Sequence, residues 1–315
     1  QQQERMKMLT RKLLEPTTAA EACLQLEAIG TPAIANLQQG LASDDPEVRF
    51  YSAEALAYLD ESSAAPVLAE LASHYQAFRW HALAALSSMD HVAALDALSD
   101  LMDVTSAETR FGAFRALRER TPDAPLVQGR RMADFSFHTI PTTQSQVVHF
   151  SISRHPDVVV FGTDIHIQPA SFIYAGKEIL IRAGQDGQLQ VSRFAAGQSD
   201  RYATCSTSLP DLLEAIVQVG GGYGEVLQCL HAASESKAIN ARVLVGARPR
   251  PGRSYFRDQP LDASEELVDQ ESPFQIVNPL PDLFSNRLLW GRDDAEPPRE
   301  VDHSAEGSGV IEESQ

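Results

Sequence analysis

Asp164 and His166 stand two residues apart, a spacing that turns both side chains to one face of a β-strand and gives the minimum geometry for a two-ligand metal site. No third ligand lies in the neighbouring sequence. His149 and His155 could come close only through the fold, and the nine histidines contain no HxxxH or HExxH spacing. Ordinary surface or core roles are expected for them, with no metal. Gly220, Gly221, Gly222, Tyr223 and Gly224 form a glycine cluster with the backbone freedom that a phosphate cradle needs. The run matches neither GxGxxG nor GxxxxGK followed by Ser or Thr, and it follows a helical pattern rather than a strand. It reads as a turn between helices, its amides remaining a conceivable anion site. No GxSxG elbow is present, and none of Cys23, Cys205 and Cys229 sits in a context that would activate a thiolate. No catalytic, cofactor-binding or metal-ligating residue is therefore expected.

The elements around these residues must come from a chain of 315 residues, enough for two domains and a tail. A hydrophobic share of 43% with 22% charged residues lets it bury a real core. With 43 acidic against 26 basic residues the formal charge is -17, a field that repels phosphate backbones and argues against nucleic-acid binding. Three cysteines without CxxC spacing make neither a disulfide framework nor a zinc site. No apolar run approaches a membrane span. Gln1 opens without a methionine or a signal-peptide core, so the start reads as a processed or truncated end.

After a helical lead-in over 1–16, residues 17–125 are rich in Ala and Leu and repeat. Asp45-Pro46-Glu47-Val48-Arg49 runs into Ala53, Ala55, Leu56 and Leu59. Phe78-Arg79 runs into Ala82, Leu83, Ala85 and Leu86, and Thr109-Arg110 into Ala113, Phe114, Ala116 and Leu117. Between them lie partner helices over Ala65–Leu71 and Val92–Leu101, and a poorer unit spans Ala19 to Leu41 with a break at Gly30-Thr31-Pro32. Apolar residues three and four apart give each helix one buried stripe, and small alanines let neighbours approach closely. A period near thirty, with Asp-Pro opening a helix before Val-Arg and an Ala-rich face, resembles the short HEAT-like repeat family. The recurrent Arg49, Arg79 and Arg110 are expected to brace neighbouring turns rather than to form a partner-binding ladder.

From 132 to 247 the pattern becomes β-rich. Strands are predicted at Gln146–Ile152, Val158–Phe161, Ile165–Ile167, Glu178–Arg182 and Leu189–Phe194, with a hairpin turn at Gln185-Asp186-Gly187-Gln188. Short strands without helices between them predict an antiparallel sheet or small sandwich. A helix over Leu209–Val219 with Ser208 as its cap, a stop at Gly220-Gly221-Gly222, a second helix over Val226–Ala233 and a strand over Ala241–Val245 close the domain. Residues 248–315 are expected to be a disordered acidic tail. From Pro249 onward lie eight of the 18 prolines and 15 acidic against 6 basic residues, a net of -9. Within it Pro273–Val277 and Leu283–Trp290 are apolar islands, either docking peptides or segments that fold back. The whole is multidomain, α and α+β: a HEAT-like α-solenoid, a small antiparallel β-rich domain with a helix-loop-helix-strand end, and the tail.

The segment from Ser208-Leu209-Pro210-Asp211-Leu212 to Val245 resembles the carboxyl-terminal element of the bacterial flagellar P-ring protein family, with Ala215-Ile216-Val217-Gln218-Val219-Gly220-Gly221 as first helix and loop, Glu225-Val226-Leu227-Gln228-Cys229-Leu230-His231-Ala232-Ala233 as second helix and Ala238–Val245 as closing strand. That element is a helix, a short glycine-containing loop, a second helix often carrying Ile-Leu-Gln-Ala-Leu, and a final hydrophobic strand. The likeness spans about 40 residues of a 315-residue chain. Helical repeats are foreign to the usual family pattern and its ring-forming core is absent, so the resemblance implies the end part of a longer protein. It further implies a periplasmic, non-enzymatic, ring-forming homo-oligomer around the flagellar rod, serving motility without a cofactor. In an oxidising periplasm Cys205 and Cys229, which flank the first helix of the terminal unit, could pair and stabilise by roughly 3 kcal/mol; the alternative is buried free thiols. The rival to the flagellar expectation is a HEAT-repeat scaffold, cytoplasmic or envelope-associated, that holds protein partners on its helices. A third reading is a lyase or hydrolase with short HEAT-like repeats, which would need a deep pocket of clustered carboxylates and histidines.

Overall fold

The computed structural model describes residues 2–151, 156–169, 171–253 and 255. The chain begins with eight helices: α1 (Gln2–Leu13), α2 (Pro16–Glu27), α3 (Ile34–Leu41), α4 (Pro46–Tyr58), α5 (Ala64–His74), α6 (Gln76–Ser88), α7 (Val92–Asp100) and α8 (Ala107–Arg120). Helix starts are set by local chemistry. The Asp45 carboxylate accepts from the Glu47 and Val48 amides at 2.9 and 3.2 Å, with Pro46 in the first turn of α4, and Ser106 caps α8 through the Thr109 amide. Helices α2, α4, α6 and α8 pack one upon the next as a row, while α1 lies beside α3 and α5 beside α7. Leu26, Leu37, Leu56, Leu68, Leu86 and Leu98 fill the space between the layers, all fully buried. Asp60, in a left-handed turn, accepts from the Asp90 and His91 amides at 2.8 and 3.0 Å, so the end of one repeat caps the helix start in the next. The solenoid is thus the one expected, with α1 as an added helix in the lead-in.

The β-rich part holds two sheets. The first contains β1 (Arg130–Met132), β2 (Phe135–Ile140), β4 (Asp157–Phe161), β3 (Val147–Phe150) and β9 (Arg242–Val245), in that order. The second is a purely antiparallel run of β5 (Phe172–Ala175), β6 (Ile179–Ala183), β7 (Leu189–Arg193) and β8 (Arg201–Cys205). Two pairings in the first sheet, β2 with β4 and β3 with β9, are parallel, which the expectation of antiparallel pairing missed. The second arises because α9 (Leu209–Gln218) and α10 (Tyr223–Glu235) carry the chain back between β8 and β9. Residues Ile165–Ile167 contribute only isolated bridges, whereas β1, β2, β5 and β8 are strands the sequence reading did not mark. The Asp186-Gly187 turn joins β6 to β7 with both residues at positive φ, 60° and 72°.

Every residue of β3 and β4 is buried because both faces of the first sheet are covered. Val148, Phe150, Val158 and Val160 point into a core shared with the second sheet, α9 and α10. On the other face, His149 stacks on Phe111 with ring centroids 3.5 Å apart, Arg110 lies 5.3 Å over the Phe161 ring, and His138 meets Phe114 edge-on. Those partners belong to α8, where a helix of the next repeat would otherwise sit. At the centre is Asp157, 1% exposed, 2.8 Å from Arg118 and 3.6 Å from Arg115, with His138 at 3.7 Å. Burial alone would push this carboxyl up, but the adjacent His138 and the Arg118 guanidinium outweigh it and hold it below its usual value.

The expected tail boundary also moves. Residues 248–253 and Tyr255 continue from β9 onto the helices, with Pro249 buried; residue 254, residues 256–315 with both apolar islands, and His155 lie outside the described residues.

Asp157→Asn is expected to destabilise the fold by about 3–5 kcal/mol, because Arg118 would keep its buried charge without a counter-charge. The folded carboxyl titrates below the unfolded one, so its stabilisation is present above about pH 4 and lost as pH falls through the folded value. Urea unfolding from pH 7 to pH 3 should show that loss in the parent chain and a shallower one in the variant.

Candidate functional site

No closed catalytic centre is assembled at the residues singled out by chemistry. His166 is tied at every nitrogen: its amide donates to Asn240 Oδ1 at 2.7 Å, Nδ1 is 3.2 Å from Thr207 Oγ1, and Nε2 is 2.6 Å from Asp164 Oδ1. Asn240 Nδ2 returns to the Asp164 carbonyl at 2.9 Å. The Asp164–His166 pair therefore latches three loops together beside the start of α9, and with both ring nitrogens engaged it offers no lone pair toward an open cleft. His149 has its Nε2 2.9 Å from the Ala247 carbonyl, and burial pushes its pKa down to about 3, so it is a neutral packing ring. Among the described residues no three His, Cys, Asp or Glu side chains converge on a possible metal position.

Cys205 on β8 and Cys229 on α10 are free thiols in this structure, pushed up to about 11 and about 12, chiefly by burial. Cys23 is likewise buried, 3.8 Å from Ser52 Oγ, with burial pushing its thiol up to about 12. None carries the lowered pKa of a nucleophile.

The glycine cluster joins α9 to α10, and the amides of its first three glycines are already engaged. Gly220 donates to the Val217 carbonyl at 2.9 Å, Gly221 to Ile216 at 2.8 Å and Gly222 to Glu225 Oε2 at 2.9 Å. That leaves no amide nest for an anion. Gly220 sits at φ 96°, and a Cβ on Gly221 would come within 2.6 Å of the Ile216 side chain.

The three repeat arginines have separate partners. Arg49 pairs with Glu70 of α5. Arg79, 2% exposed, donates from Nε to the Ala72 carbonyl at 3.1 Å and from Nη1 to Glu108 at 3.1 Å. Arg110 reaches out of the solenoid to the Ser145 carbonyl at 2.9 Å.

Arg79 and Glu108 lead to a feature absent from the sequence reading. Glu108 Oε2 also accepts from Arg253 Nη1 at 2.9 Å. Four residues earlier, Pro249 packs where Gly112 of α8 has no side chain and Leu83 of α6 comes near; a Cβ on Gly112 would lie 2.7 Å from Pro249 Cγ. Two residues later, the Tyr255 ring meets Phe78 at 5.0 Å and Tyr75 at 6.0 Å, and Phe78 stacks on Phe50 of α4 at 4.7 Å. The chain after β9 thus lies as a strap along the seam between α6 and α8. The clue to it in the sequence was Arg248, Pro249, Arg250, Pro251 and Arg253, a basic run within an acidic chain. Further along the row, Leu24 of α2 and Tyr58 of α4 are exposed at 65% and 47%. Glu54 beside them is pushed up to about 7 by burial and by the charge of Glu27.

Residues 7–77 and 34–118 match the model of HEAT repeats, and the helical region is accordingly a HEAT-repeat solenoid. No curated protein matches. One solved structure similar to this chain is the complex of CpcE and CpcF of phycocyanin lyase from Nostoc sp. PCC7120, with 22% identity, coverage of 39% of this chain and 81% of that one, and a TM-score of 0.30. The family match is to HEAT repeats and not to a flagellar ring protein, so the P-ring resemblance is corrected. The helix-loop-helix-strand unit does form, but the residues that carried the likeness are those that pack it. Leu212, Leu213, Ile216, Val226 and Leu230 are buried against the sheets, a pattern any such unit would share. The flagellar function and the rod and ring partners fall with it. Among the described residues no helix is long and apolar enough to cross a membrane.

Gly221→Ala is expected to cost about 1–3 kcal/mol through overpacking against Ile216 and Ile179. Denaturant midpoints measure this, and added phosphate should leave the midpoint of the parent chain unchanged.

Proposed function

We propose that this protein is a non-enzymatic interaction scaffold whose HEAT repeats hold extended protein segments across the row α2, α4, α6 and α8. The observation that carries the reading is the strap, which already occupies part of the row through a proline, an arginine and an aromatic ring, each seated on helix side chains. Helical repeats stack into extended surfaces of this kind, and each added repeat lengthens the surface without requiring a pocket. Support for a non-catalytic role comes from thiols raised by burial rather than lowered toward reactivity. Beyond the strap, Leu24 and Tyr58 extend the row as apolar side chains next to Glu27 and Glu54.

A photo-crosslinking residue placed at Leu24 or at Tyr58 of the full chain, in cells that make it, is expected to yield protein adducts. The comparison is the same residue at Tyr174 or Tyr202, exposed on the second sheet. Adducts confined to the sheet positions, or absent from 24 and 58, would overturn the reading.

A further inference from the structure

Resting on that reading, we infer that the α6–α8 part of the row is a recognition groove for segments that place proline, arginine and tyrosine at positions i, i+4 and i+6, with a turn just before the arginine. The protein's own Pro249, Arg253 and Tyr255 fill it in cis.

Three seats define the specificity. The first is a notch: Gly112 lacks a Cβ, and Leu83 Cδ1 and Pro249 Cγ would lie 2.6 and 2.7 Å from one. A proline ring fits there and needs no amide partner. The second is a buried carboxylate. Glu108 is 4% exposed in the first turn of α8, and its Oε2 is shared between Arg79 at 3.1 Å and Arg253 at 2.9 Å. Arg79, fixed by the Ala72 carbonyl, is a positioning residue that presents Glu108 to the incoming guanidinium. One arginine inside the wall and one on the strap make a lysine a poorer occupant, because guanidinium geometry lets two cations share a carboxylate edge. The third seat is aromatic, Tyr75 and Phe78 against Tyr255, backed by Phe50. Six residues separate the first seat from the last, a reach of at most about 20 Å, and the turn at Gly252 takes the chain from Gly112 and Leu83 back along the two helices to Glu108 and Phe78.

Nothing in these seats requires covalent continuity with β9. The strap's advantage is effective concentration, in the millimolar range for a short tether, so a free segment gains access when the strap is weakened or outcompeted. The partner predicted is a protein with an exposed stretch of that chemistry.

The test uses the full chain with Arg253→Ala and Tyr255→Ala, which vacates two seats, and a fluorescent peptide of residues 246–255 added in trans. Fluorescence anisotropy is expected to show saturable binding to this variant and binding at least about tenfold weaker to the parent, whose strap competes. Adding Glu108→Gln to the variant should weaken binding by about tenfold. The inference is overturned if the folded variant does not bind, if parent and variant bind alike, or if Glu108→Gln has no effect. Circular dichroism establishes folding, and Tyr255→Ala alone replaces the double variant should that not fold. Independently, hydrogen exchange on the parent chain in excess peptide should speed at residues 247–253; no change there counts against the groove. If the peptide fails while crosslinks at 24 and 58 persist, the scaffold stands and only this recognition rule is lost.

Discussion

The architecture depends on the burial of α8 on all sides. From Ala107 to Leu117 every residue but Arg115 is buried, although the stretch includes Glu108 and Arg110. A helix enclosed in this way is ordinarily apolar all round. Here each charge has a counterpart on a different element: Glu108 toward Arg79 and the strap, Arg110 toward Ser145 and Phe161, and Arg118 beyond it toward Asp157. Buried charges so arranged are costly to form and costlier to break, which fixes register more than it adds stability. The helix is at once the last member of the helical row and the surface on which the first sheet is laid.

That arrangement answers a problem every solenoid has, the exposed apolar face of its final repeat. In this chain the sheet covers it. Val147, His149, Val159 and Phe161 alternate with the core-facing residues of β3 and β4, and their side of the sheet meets Phe111 and Phe114. A neutral His149 stacked at 3.5 Å, with a carbonyl at its far nitrogen, behaves as an aromatic ring with one polar point. The helical and β-rich parts, separable by pattern in the sequence, accordingly share one interface and form one folded body.

The parts that could be read from sequence were those governed by local period. Ala and Leu at three- and four-residue spacing marked the helices, Asp45-Pro46 a helix start, and Asp186-Gly187 a hairpin, because each is set within a few residues. What could not be read depends on contacts far apart in the chain. Arg49, Arg79 and Arg110 are equivalent by position, yet only tertiary context sends one to Glu70, one to Glu108 and one to Ser145. Asp164 and His166 were correctly placed side by side, but the occupation of both ring nitrogens needed Thr207, 41 residues away. Strand β2 escaped notice because Phe-Ser-Phe-His-Thr-Ile mixes aromatic and polar residues, and His138 is buried only by virtue of Val127 and Asp157. The terminal unit was legible as structure and misleading as kinship, since amphipathic packing repeats across unrelated folds.

The strap shows why composition is a poor guide to order at a domain edge. Two prolines and three arginines between residues 248 and 253 carry no apolar period and argue for an unstructured chain. Yet proline restricts the unfolded chain, so less entropy is lost when Pro249 and Pro251 are fixed. Gly252 takes φ 78°, a bend other residues resist, bringing Arg253 back to Glu108. In a chain of net charge -17, one of these arginines finds its counter-charge in the buried Glu108. A segment poor in hydrophobic side chains can therefore lie ordered on a solenoid when its stiffness is intrinsic and its few contacts are each matched by a seat already built into the helices.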